Sequence, residues 1–125
     1  VHLDRRLRER HAGEWQGLTR TEVEANFPGY LETGRRPPGF ESSDSASSRA
    51  VGALRSVAAR HPGGTALVVS HGGIVRALRA TLDLDDDRAF PNLSGQWFEV
   101  DEHRIVGGEL VLLVDRERPS SATPL

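Results

Sequence analysis

Apolar and polar positions change rhythm several times along the chain, and each change marks an expected element. In "TRTEVEANF", Val23 and Phe27 fall on one helical face, while Thr19 and Glu22 have the spacing of a capping box, so a short helix is expected before Pro28. "ETGRRPPGFESSDS" carries glycine and proline without periodicity and reads as a loop, with Ser42, Ser43 or Asp44 placed to cap the next helix. Ala46, Ala50, Val51, Leu54, Val57 and Ala58 then repeat with helical period. Arg49, Arg55 and Arg60 lie on other faces, and His61-Pro62-Gly63-Gly64 ends that helix.

"TALVVS", Thr65 to Ser70, is apolar on both faces and β-branched, the pattern of a strand in a parallel sheet covered by helices on both sides. Beyond Ser70-His71-Gly72-Gly73, the residues Ile74, Val75, Leu78 and Leu82 predict a helix running to about "LDLDDD". "GQWFEV", "HRIVG" and "ELVLLV" are strand-like, the last two joined in hairpin fashion at Gly107-Gly108. The expected fold is therefore α/β, closing with antiparallel additions to a sheet. Residues 1–115 form the expected domain, and "RERPSSATPL", 116–125, reads as a disordered tail.

Composition narrows the function classes. A chain of 125 residues is one domain's worth, and 37% hydrophobic with 27% charged residues is the balance of a soluble globular protein. Sixteen cations, all arginine, and eighteen acids are interspersed to a net charge of -2, so no basic block points to nucleic acid or to an anionic membrane. No apolar run reaches bilayer length, and "VHLDRRLRER" lacks the core of a signal peptide, so a cytoplasmic location is expected. Without cysteine there is no disulfide framework, thiolate nucleophile or cysteine-based zinc site. His2, His11, His61, His71 and His103 are scattered, and no metal site is expected. Val68 stands where a serine-hydrolase elbow needs glycine, which makes Ser70 a backbone-supporting hydroxyl rather than a nucleophile.

Two stretches carry candidate chemistry. In open α/β sheets, ligands collect beyond the carboxyl ends of strands, where a starting helix offers unpaired N–H groups to an anion. His71 with the Gly72 and Gly73 amides suits phosphate in that position; equally, His71 is a packed strand-end histidine beside two turn glycines. In "LRERHAGEWQGL", Glu9, Arg10 and His11 precede Gly13, Trp15 and Gly17, the composition of a tight packed loop. Taken alone, Glu9-Arg10 reads as a solvated ion pair and Trp15 as core.

In combination these stretches resemble the histidine phosphatase superfamily, the branch of cofactor-dependent phosphoglycerate mutases and phosphoglycerate-mutase-like phosphatases. "LRERHAGEWQGL" is similar to the family's glutamate loop, "PGFES" to its Gly-x-Glu-Ser turn, "VVSHGGIVRAL" to its second histidine block, and "PNLSGQWFEV", with Asn92, to its final segment. The resemblance runs from Leu3 to about Val114. It implies a three-layer phosphoglycerate mutase-like fold, a mixed, mainly parallel sheet flanked by helices. It also implies hydrolysis of a small phosphorylated metabolite through phosphohistidine, with no cofactor. In this family a first histidine, in an Arg-His-Gly block, attacks phosphorus. The resemblance makes His71 the second histidine, stabilising the transferring group with the helix start at Gly72. It makes Glu9 the acid that protonates the leaving alkoxide and then deprotonates water, and Arg10 a contact to substrate phosphate or carboxylate. "GEWQGL" looks nearer the phosphatase branch than the mutases.

One departure is large: the chain contains no Arg-His-Gly, and Ala12 interrupts "ERHAG". "SSDSASSRA" echoes the family's phosphate-binding Ser-Ser-x-x-x-Arg-Ala block, but Arg49-Ala50 follows "PGFES", so it reads as ordinary helix. The chain thus looks like the carboxyl-terminal part of the domain, an incomplete three-layer fold. It is expected to be inactive alone, with an open strand edge at Thr65–Ser70, and to self-associate or to need a missing N-terminal segment. The rivals are a non-catalytic phosphate-binding or interaction module, phosphoglycerate mutase-type phosphotransfer, and an unrelated α/β binding domain. The last is excluded if Glu9 and His71 face one cleft.

Overall fold

A computed structural model describes residues 1–84 and 90–114. The chain opens with a single 3-10 turn, Arg5–Leu7, that begins where the Asp4 carboxylate accepts the Arg6 amide at 2.9 Å. The Arg6 guanidinium binds Asp4 at 2.7 Å and Ser56 Oγ at 3.0 Å, which ties this turn to the long helix Ser43–Arg60. A second 3-10 turn, Gly13–Trp15, carries the glycine-flanked tryptophan. Gly13 has φ +59, and a β-carbon there would overlap the backbone of Pro38 and Phe40, so only glycine lets the two loops close on each other. The Glu14 amide bonds Pro38 O at 3.1 Å across that contact.

Helix α1, Arg20–Asn26, starts with the expected capping box between Thr19 and Glu22. A four-residue helix α2, Tyr30–Thr33, comes next. It was not expected, and its αL residues at both ends, Gly29 and Gly34, explain why periodicity could not reveal it. Trp15 is buried, with edge-on contacts to Phe27 at 6.2 Å and Phe40 at 6.0 Å. These rings hold α1 and the loop before the next helix around the 3-10 turn.

Helix α3, Ser43–Arg60, is capped by Ser42, whose side chain accepts the Ser45 amide, and ends at His61. Helix α4, Gly72–Thr81, has His71 as its N-cap. The two pack together through Ala46, Ala50 and Leu54 of α3 and Ile74, Ala77 and Leu78 of α4. Val51, Val68, Phe98, Val100 and Ile105 flank that cluster.

Strands β1, Ser94–Val100, and β2, Ile105–Leu112, pair antiparallel, from Ser94 opposite Leu112 to Val100 opposite Ile105, with a bulge between Gln96 and Phe98. The buried Arg79 joins helix to sheet, donating to Gln96 Oε1 and to Leu84 O.

Two expectations need correction. The mainly parallel sheet is not present: among the described residues the sheet is two-stranded and antiparallel, and Thr65–Ser70 pairs with no other strand. Without neighbours its two-sided apolar pattern is only half used: Val68 meets the helical core, while Leu67 and Val69 are 89% and 80% exposed. The hairpin turn is also misplaced. Gly107-Gly108 lies inside β2, where a β-carbon on Gly107 would collide with Leu84. The actual turn is at Asp101, whose Oδ1 accepts the His103 and Arg104 amides, both at 2.8 Å. The acidic run after Leu84 and the expected tail, 116–125, lie outside the described residues.

Candidate functional site

The site grows from the junction that ends Thr65–Ser70 and begins α4. His71 keeps extended backbone, φ -107 and ψ 151, while its carbonyl already accepts the Ile74 and Val75 amides at 3.0 and 3.2 Å. Its ring makes no capping bond, so the helix start is left to the Gly72 and Gly73 amides, which precede the first intrahelical donors. Those amides and the helix dipole give this end a positive character.

Glu9 arrives from the opposite end of the sequence. Its Oε2 stands 3.9 Å from His71 Nδ1, with the two side chains 49% and 54% exposed, so both are open to solvent side by side. Its Oε1 accepts the Arg10 amide at 2.8 Å. That same oxygen fills the space a β-carbon on Gly73 would take, so the glycine makes room for the carboxylate at the helix start. Ser70 is not free as a nucleophile would be: its hydroxyl donates to Leu7 O at 2.7 Å, the backbone-supporting role expected of it.

Arg10 is brought to the neighbourhood but turned aside. Its Nε and Nη2 donate to Glu41 O at 3.2 and 2.7 Å, and its guanidinium lies 5.0 Å from the Phe40 ring centre. Arg49, on α3, likewise grips Glu41 through Nε and Nη2, at 2.7 and 2.9 Å. Those bonds, with smaller help from the His11 amide and the Ser45 hydroxyl, hold the Glu41 carboxyl at about 2.

Two arginines were passed over in the sequence, of which Arg76 lies at the α4 start. Arg76, four residues beyond Gly72 on α4, folds back so that its Nη1 would sit 3.0 Å from a β-carbon at Gly72. Its helical spacing from the glycine is the signal that could have found it. Arg36 stacks over Trp15 at 5.8 Å and Phe40 at 4.8 Å, a contact between loops that no local pattern encodes. Among the described residues, no three histidine, aspartate or glutamate side chains gather as a metal-ligand set.

Helices packed with an antiparallel strand pair, and a carboxylate and an imidazole beside the start of one helix, place this chain among α/β proteins. More narrowly, it belongs to the histidine phosphatase superfamily (branch 1), whose sequence profile matches residues 1–112. It is 32% identical over 126 residues to glucosyl-3-phosphoglycerate phosphatase of Mycobacterium tuberculosis, covering 87% of this chain and 56% of that protein. It is 35% identical over 79 residues to a metal-independent phosphoserine phosphatase of Arabidopsis thaliana, covering 58% of this chain and 33% of that protein. Among solved structures, Bacillus stearothermophilus YhfR superposes with a TM-score of 0.64 at 30% identity, over 83% of this chain and 57% of that one. The chain thus spans about half the length of the mycobacterial relative it matches.

Proposed function

We propose that Glu9, His71 and the start of α4 form part of the active site of a phosphomonoester hydrolase that works through phosphohistidine. The observation that carries this reading is the approach of Glu9 to His71, 3.9 Å, with the same carboxylate in the space a β-carbon on Gly73 would take. A phosphoryl group seated there has its equatorial oxygens against the His71 ring and the two glycine amides, which favour the charge that spreads over them in the loose transition state. Glu9 in its protonated form gives a proton to the departing alkoxide. As the carboxylate it then takes one from the water that attacks phosphorus and releases the histidine. Gly72 and Arg10 are proposed as phosphate contacts, Arg10 by swinging from the Glu41 carbonyl. The substrate is proposed to be a small phosphorylated metabolite, and the phosphatases among the relatives favour hydrolysis over mutase-type transfer.

The attacking histidine of this chemistry belongs to an Arg-His-Gly block, which these 125 residues do not contain. A second reading is a phosphate-binding or interaction module without turnover, favoured by the Arg10 guanidinium being tied to the Glu41 carbonyl. On either reading the 125-residue protein binds inorganic phosphate at His71 and forms no phosphoenzyme. Titration of isotopically labelled protein with inorganic phosphate tests the first statement: saturable shifts at Gly72, Gly73 and the His71 ring, lost in His71→Ala, are expected. Incubation with a labelled aryl phosphate tests the second, and acid-labile phosphohistidine on this chain would overturn it.

A further inference from the structure

The segment that delivers Glu9 has almost no backbone support of its own. Between the 3-10 turn Arg5–Leu7 and the bridge of Ala12 to Phe40 it lies in no helix or sheet. Its carbonyls are nonetheless taken in unbroken succession. Arg49 Nη1 donates to Arg6 O at 2.5 Å and to Arg8 O at 2.8 Å, Ser70 Oγ donates to Leu7 O at 2.7 Å, and Arg49 Nη2 donates to Glu9 O at 3.2 Å. With its two bonds to Glu41, Arg49 uses all five of its guanidinium donors, and both partners of the ion pair are nearly buried, at 12% and 11% exposure. Glu41 secures the far side of the same segment: its carboxylate accepts the His11 amide at 3.1 Å, its own amide donates to His11 O at 2.9 Å, and its carbonyl holds the Arg10 guanidinium.

We infer that Arg49, braced by Glu41, and Ser70 are positioning residues that set where the Glu9 carboxylate stands relative to His71. The inference rests on the proposed role of Glu9 and deepens it. A planar fork fixed by a bidentate carboxylate fixes in turn the direction of the three carbonyls it holds. Ser70 precedes His71 directly, so its bond to Leu7 links the two halves of the site without passing through the core. Small displacements of a catalytic group are costly, and a segment lacking its own ladder depends on such side-chain ties.

The Arg10 amide reports the position of Glu9, because it donates to Glu9 Oε1, and an amide proton held by a carboxylate shifts with the charge on it. In the labelled 125-residue protein this amide is expected to show a pH-dependent shift that Glu9→Gln abolishes. Arg49→Gln is expected to lose that shift while retaining the helical circular dichroism of the parent. Arg49→Lys, which keeps the charge but not the fork, is expected to lose it as well. Ser70→Ala, which removes one hydroxyl, is expected to reduce its amplitude, and it decides the matter should the Arg49 variants fail to fold. A role confined to stability would lower the melting temperature and leave the shift intact, so a folded Arg49 variant, or Ser70→Ala, with the parental titration overturns the inference. The readout needs no phosphate, so failure of phosphate to bind would count against the proposed function and leave this result standing.

Discussion

The Glu9 carboxylate occupies the volume that a side chain at Gly73 would need. The glycine is therefore a space-maker for the acid as well as the second residue of α4. Since the colliding atom is the end of a half-exposed side chain, Gly73→Ala is expected to displace Glu9 rather than unfold the helix. Thermal melting should stay near the parental value, because alanine improves helix propensity by up to about 1 kcal/mol. The Arg10 amide should lose its contact with Glu9, and inorganic phosphate should bind more weakly, both measurable by NMR titration.

Acid stability should follow Glu41. Its carboxyl is lowered from 4.5 to about 2, chiefly by Arg49, so folding favours the charged form. That contribution is fully present above the unfolded value and is lost as pH falls from about 4.5 through about 2. Urea midpoints measured down the acid range should fall in the parent. In Glu41→Gln that part of the decline should be absent, with a lower starting stability, since the charge-assisted bonds to Arg49 are lost.

The α3–α4 contact carries the core, and Ile74 is fully buried in it. Ile74→Ala should cost about 2–5 kcal/mol by urea denaturation, enough to threaten the fold of a chain this size. Leu54→Ala, at the other side of the same contact, should fall in the same range.

Leu67 and Val69 are exposed apolar residues on a segment without a strand partner among the described residues. Such an edge invites pairing between copies. Sedimentation should show association that rises with protein concentration and is reduced in Leu67→Lys/Val69→Lys, while the core-facing Val68 keeps the melt cooperative. A concentration-independent monomer would remove this expectation.

How far the sequence could be read depended on the range over which each feature is encoded. Thr19 with Glu22, and the run Ala46, Ala50, Leu54, announce α1 and α3 because caps and helical faces repeat within a few residues. The His71-Gly72-Gly73 helix start was legible for the same reason, and its partner Glu9 emerged only through family resemblance. The hairpin was misread because Gly107-Gly108 resembles a turn, whereas those glycines make room for Leu84 and Trp97, and Asp101 turns the chain. A strand depends on neighbours that its own residues do not name, and so Thr65–Ser70 kept its apolar pattern without entering a sheet. The Arg49–Glu41 brace was hidden because its five bonds join a helix, a turn and a distant loop.

The central claim is that His71 and the α4 start form a phosphate site faced by Glu9. Its most direct test is a titration of the labelled 125-residue protein with inorganic phosphate, read at the Gly72 and Gly73 amides and the His71 ring. The expected result is a single saturable transition shared by all three and missing in His71→Ala. Shifts that leave Gly72 and Gly73 unmoved, or that persist unchanged in His71→Ala, would contradict it.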